Sequence, residues 1–131
     1  WLSGVKARQD GLRAEDGWGA EFGRDGRKPR REAVTDYLRQ WQLGDVANVR
    51  VKDLTSQKLA QLGIALAFVG EPDAVVVDDV ESQLTMSQSE ALVDLLLDAA
   101  RTRNVAVVVG VVERDLAAMA DATVYLSKDG E

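Results

Sequence analysis

Residues 54–85 read LTSQKLAQLGIALAFVGEPDAVVVDDVESQLT, and the order of signals in them decides the fold. Thr55 and Ser56 stand at the head of a helical run, where a hydroxyl can accept hydrogen bonds from the free amides of the first turn. Leu59, Leu62, Leu66 and Val69 recur at helical steps and predict a helix over about residues 56–69. Gly70, Glu71 and Pro72 break it. Ala74, Val75, Val76 and Val77 follow as an unbroken apolar run ended by two carboxylates, Asp78 and Asp79. A run without alternation predicts a strand buried on both faces, the signature of a parallel sheet covered by helices. Strands ending in acids are common in α/β proteins, so the two carboxylates alone name no function.

Working outward, Ser87 with Glu90 three residues on predicts a capping box, and Ala91, Leu92, Leu95, Leu96 and Ala99 carry the helix to about Arg101. Residues 105–109 predict a second buried strand, residues 114–120 a short helix and residues 122–126 a third strand. Strand, helix, strand, helix, strand is a parallel α/β layout. Upstream, Val34, Tyr37, Leu38 and Trp41 predict an amphipathic helix over about residues 31–43, stopped at Gly44. Before it, Gly4, Gly11, Gly17, Gly19, Gly23 and Gly26 punctuate a stretch without a sustained period, in which Trp1, Trp18 and Phe22 are candidates to dock elsewhere. The expected organisation is an irregular linker or partly disordered segment over residues 1–30, a helical subdomain over 31–72 and an α/β core portion over 73–131.

The 131 residues allow one domain or part of one. The chain begins with Trp1 rather than Met, so an upstream portion is expected. It has no cysteine, hence no disulfide framework, and its apolar runs are far too short to cross a bilayer. Any membrane association must go through a partner. Residues 1–60 hold 12 basic and 9 acidic side chains, residues 61–131 hold 4 and 13. The acidic second half argues against a nucleic-acid groove. The basic cluster Arg24, Arg27, Lys28, Arg30 and Arg31 reads as solvated linker, or as a patch for phosphate or lipid headgroups.

These residues resemble the second half of an ATP-binding cassette (ABC) ATPase domain, from its helical subdomain to its last core strands. That family's signature segment, of the form L-S-G-G-Q, opens a helix leading to a Pro, an apolar strand, an Asp-Glu pair and an S-A-L-D loop. Here Leu54 stands eighteen residues before Pro72, Asp78 follows six residues later, and Ser82-Gln83-Leu84-Thr85 falls where the loop would be. Val34-Thr35-Asp36-Tyr37-Leu38 looks like the family's V-x-E-N-L helix start, and Ala120-Asp121 like its A-D-x-x-V-x-L stretch. The likeness covers about residues 33–126.

The resemblance implies a partial P-loop NTPase-like parallel sheet flanked by helices and preceded by a helical subdomain. It implies ATP and Mg²⁺ as cofactors, with two ATPase domains sandwiching the nucleotide. Asp78 then matches the residue that holds Mg²⁺ through water, and Asp79 the residue that polarises the attacking water. Leu54, Thr55, Ser56 and Gln57 match the signature that aims a helix N-terminus at the γ-phosphate, and Ser82 lies in the nucleotide-side loop. The implied partners are a second ATPase domain and transmembrane transporter subunits, and the implied place is cytoplasmic, peripheral at the inner face of the cell membrane.

The chain departs from that pattern where chemistry is done. No G-x-x-x-x-G-K-[ST] occurs in it. Ser56 and Gln57 replace both signature glycines, which puts side chains where the backbone should approach closely. Asp79 is one methylene shorter than Glu, and about 1 Å of misplacement can cost on the order of 100-fold in rate. Thr85 replaces the loop Asp, Val111 stands about where a histidine contacting the γ-phosphate would fall, and the chain has no histidine. The expected function is therefore the ATP-binding subunit of an ABC-type transporter with weak or partner-dependent hydrolysis, this chain alone being inactive. The alternative is a catalytically inactive cassette-like regulatory or interaction module. A phosphoacceptor receiver domain, suggested by the acid-ended strand, fails on length, because only 52 residues follow Asp79.

Overall fold

A computed structural model describes residues 27–127, which divide into two units at Pro72 and Asp73. Most of the expected linker, with Trp1, Trp18, Phe22 and Arg24, lies outside the described residues. The first unit opens with α1, Arg27–Gln40, so Arg27, Lys28, Arg30 and Arg31 are helical and the helix starts four residues earlier than expected. Pro29 permits this, since a first-turn amide has no intrahelical acceptor to lose. The stop also differs. Gln42, at φ 57°, supplies the left-handed residue, with Leu43 N donating to Leu38 O at 2.9 Å and Gln42 N to Arg39 O at 3.0 Å. These two bonds form a Schellman closure, and its apolar partners Leu38 and Leu43 are both buried.

Two single 3₁₀ turns, Gly44–Val46 and Val51–Asp53, lead to α2, Ser56–Ala67. Its inward face carries Gln61, Leu62, Ile64 and Ala65 and continues to Phe68, whereas Leu59, expected in the stripe, is exposed. The period was right and its phase was set by α1: Trp41 and Phe68 meet with ring centroids 5.0 Å apart, and the Tyr37 hydroxyl donates to Ala65 O at 2.9 Å.

The second unit begins with β1, Ala74–Val77, followed by α3, Met86–Arg103, β2, Ala106–Val109, and the single turn α4, Arg114–Ala117. The strands pair in parallel with Val75 opposite Val107 and Val77 opposite Val109. A parallel pair needs a crossover, and α3 provides it, packing on β2 while α4 packs on α3. Leu92, Val93, Leu96 and Ala99 of α3 are buried, together with Val75, Val105, Leu116 and Ala117. The cap of α3 sits two residues before the expected one: Thr85 Oγ1 accepts from Gln88 N at 3.3 Å and Gln88 Oε1 from Thr85 N at 3.0 Å.

Two expectations for the sheet are corrected. The strands are not covered on both faces, because Val76 is 75% and Val108 61% exposed, side by side in the register. No third strand forms among the described residues: the sheet has two strands, and Val124, Tyr125 and Leu126 stand exposed outside it. β-Propensity describes how a side chain fits a pleated surface, and without a ladder partner it orders nothing.

Candidate functional site

The carboxylates follow from the ladder. Val77 pairs with Val109, and Gly110 N donates to Val77 O at 2.8 Å, so Asp78 comes alongside Gly110 where both strands end. A Cβ placed on Gly110 would lie 2.7 Å from Asp78 Oδ1, closer than side chains pack. The Asp78 carboxylate thus leans across the end of β2 into space that only glycine leaves open. Sequence reasoning singled out Asp78 and passed over Gly110, whose role needs the register to be seen.

Asp79 follows at φ 59°, a left-handed conformation that costs a non-glycine residue about 1 kcal/mol. The reversal drops Val80 into the interior, 4% exposed, and leaves Asp78 and Asp79 exposed. A second left-handed residue, Gln83 at φ 62°, turns the chain again, with Ser82 N donating to Asp79 O at 3.4 Å and Leu84 N to Glu81 O at 3.2 Å. Glu81 bridges to the loop after β2. Its Oε1 accepts from Glu113 N at 2.8 Å and Val112 N at 3.1 Å, and its Oε2 from Val112 N at 3.0 Å. Val111, half-buried beside this bridge, brings no polar side-chain atom.

The other predicted residues belong to the first unit. Leu54 N closes the second 3₁₀ turn onto Val51 O at 3.2 Å. Thr55 is extended and caps α2, its Oγ1 accepting from Lys58 N at 3.3 Å. Of the two hydroxyl candidates, Thr55 is therefore the cap and Ser56 the first helical residue. Thr55 and Ser56 are exposed and Gln57 half-buried, so the positive end of a twelve-residue helix opens outward. Lys58 turns away from that end. Its Nζ donates to Gln42 O at 2.7 Å and to Asp45 Oδ1 at 3.1 Å, tying the start of α2 to the closure of α1. The hydrogen bond from Lys58 lowers the pKa of the Asp45 carboxyl below its ordinary value.

The fit to a metal is limited and definite. No group of three His, Cys, Asp or Glu that could hold a metal ion occurs among the described residues. One exposed carboxylate at a strand end does not cage a cation. Mg²⁺ keeps several waters and is commonly held by one or two carboxylates together with substrate phosphates, so Asp78 could supply one ligand of a shell completed from outside the described residues.

No known family profile matches the sequence. The lipoprotein-releasing system ATP-binding protein LolD of Coxiella burnetii (strain RSA 493 / Nine Mile phase I) is 29% identical over 107 residues, 80% of this chain and 46% of that protein. A solved metal-chelate type ABC transporter in an inward-facing conformation superposes with a TM-score of 0.66 at 18% identity, over 80% of this chain and 45% of its own. The chain spans about half the length of either relative. No helix among the described residues is long and apolar enough to cross a membrane. In fold and in sequence, the chain is similar to part of an ABC ATPase domain.

Proposed function

We propose that the chain is part of an ATP-binding subunit of an ABC-type transporter, coupling nucleotide binding to transport with weak or partner-dependent hydrolysis. The observation that carries this is the Asp78 carboxylate at the end of a parallel strand, lying over Gly110 where no side chain intrudes. In this role Asp78 would hold Mg²⁺ through water, and the ion, when bound, would neutralise phosphate charge. Asp79 faces the attacking water, with less reach than a Glu. Leu54, Thr55, Ser56, Gln57 and the α2 terminus face the phosphates of a nucleotide held by a second ATPase domain, and Ser82 lines the loop beside it. Transmembrane subunits would hold the assembly peripherally at the inner face of the cell membrane.

A cassette-like regulatory module without turnover is the second reading, favoured by the occupied signature. Thr55 Oγ1 caps α2 by accepting from Lys58 N, and Ser56 and Gln57 put side chains where glycines would admit a phosphate. Mg-ATP hydrolysis by the chain alone and by the assembly that co-purifies with it separates the two. The transporter reading expects none from the chain alone and, from the assembly, turnover that Asp78→Asn abolishes. An assembly whose turnover ignores Asp78→Asn, or an isolated chain whose own turnover that substitution removes, would overturn it.

A further inference from the structure

Glu81 takes no part in the roles above, yet its side chain joins two loops of the second unit, reaching 31 and 32 residues ahead. Asp78 and Asp79 precede it in the loop after β1, and Glu113 is the residue before α4 at the end of the other loop. Two backbone amides hold the Glu81 carboxylate, and bonds from amide donors to a carboxylate are stronger than neutral ones. Local structure does not call for it: α3 is capped by Thr85 and Gln88, and α4 is a single turn.

Two rungs consequently join the loops. The inner rung is the backbone bond from Gly110 N to Val77 O, and the outer rung is Glu81 on Val112 and Glu113. Residues 110–113 are pinned at both ends, and Asp78 lies against the pinned stretch at Gly110. With the outer rung cut, residues 111–113 would be free to hinge on the inner one, and Gly110, at that hinge, is the residue over which the Asp78 carboxylate lies. We propose that Glu81 is a positioning residue, which sets the direction of the Asp78 carboxylate by clamping the loop after β2. The proposal rests on Asp78 as a Mg²⁺–nucleotide ligand, the role assigned under Proposed function.

The test uses NMR on the full 131-residue chain as wild type, Glu81→Ala, Glu81→Gln and, as an exposed control on α3, Glu90→Gln. Amide exchange reads the clamp. Val112 and Glu113 should exchange about tenfold faster or more in Glu81→Ala, and by an intermediate amount in Glu81→Gln, which keeps the volume and one acceptor. The Asp78 ¹³Cγ shift and the Gly110 amide shift read the positioning. Both should move in Glu81→Ala and stay in Glu90→Gln. Unchanged exchange in both Glu81 variants overturns the clamp, and faster exchange with unmoved Asp78 and Gly110 signals overturns the positioning role. Turnover of the assembly separates the underlying reading: if it ignores Asp78→Asn, the metal role falls while exchange and shifts still decide the clamp.

Discussion

Replacing Gly110 by alanine tests the geometry of the strand ends directly. The new Cβ would lie 2.7 Å from Asp78 Oδ1, about 0.7 Å inside the 3.4 Å at which ordinary contact begins. The nearest other atoms, Asp78 Cα and Cγ, are at 3.7 Å and need not move. Relief comes from turning the Asp78 side chain by about 30°, which swings its oxygen by roughly 1 Å and costs about 0.5–1.5 kcal/mol if it stays off rotamer. Asp78 is exposed, so a full rotamer change is also open and would lower that figure. Stability should therefore fall by no more than about 1.5 kcal/mol, a few degrees in Tm for a chain of this size. Hydrolysis by the assembly should fall on the order of 100-fold, the usual consequence of an ångström-scale displacement of a catalytic group. A double-mutant cycle isolates the cause: in an Asp78→Ala background the obstruction is gone, and Gly110→Ala should become neutral or stabilising by up to about 1 kcal/mol. Chemical denaturation and ATPase assays on the four proteins suffice. Equal costs of Gly110→Ala in both backgrounds, or full activity in the single variant, would refute the placement of Asp78.

Three further outcomes follow from contacts elsewhere. Thr85→Ala removes the capping box of α3 and should destabilise by about 1 kcal/mol in urea unfolding, whereas Ser87→Ala should be close to neutral. Phe68→Ala empties a buried site against Trp41 and should cost about 3–5 kcal/mol, read by loss of the tryptophan-monitored transition at correspondingly lower denaturant. The Asp45 carboxyl has its pKa lowered by the hydrogen bond from Lys58, so its stabilising contribution is present above the unfolded value near 3.8 and is lost as pH falls through the lower folded one. Lys58→Met should accordingly narrow the gap in Tm between pH 6 and pH 3, and an unaltered gap would count against the pair.

The strands were legible because Ala74 to Val77 and Ala106 to Val109 are apolar, mostly β-branched valine, and bounded by breaks. Caps were harder. Thr85 with Gln88 and Ser87 with Glu90 both fit the same pattern, and the choice rests on which residue precedes the first helical turn, which spacing alone does not fix. Gly44 looked like the stop of α1, yet Gln42 takes the left-handed position because Leu43 can then bury beside Leu38. Residues 122–126 have the composition of a strand, but pairing is a property of two segments and composition describes one. At the site, Asp78 and Asp79 were visible in sequence. The left-handed Asp79, the clearance at Gly110 and the reach of Glu81 depend on register between segments some thirty residues apart.

Val76 and Val108 lie side by side with water over them, flanked by the small side chains Ala74 and Ala106 in the same register. The repulsion available to hold such a surface apart from its copies is charge, since residues 61–131 carry 4 basic against 13 acidic groups. That protection is ionic and therefore conditional. The screening length is about 10 Å at 0.1 M salt and about 3 Å at 1 M, so colloidal behaviour should reverse between dilute and concentrated buffer: dispersed in the first, self-adhering in the second.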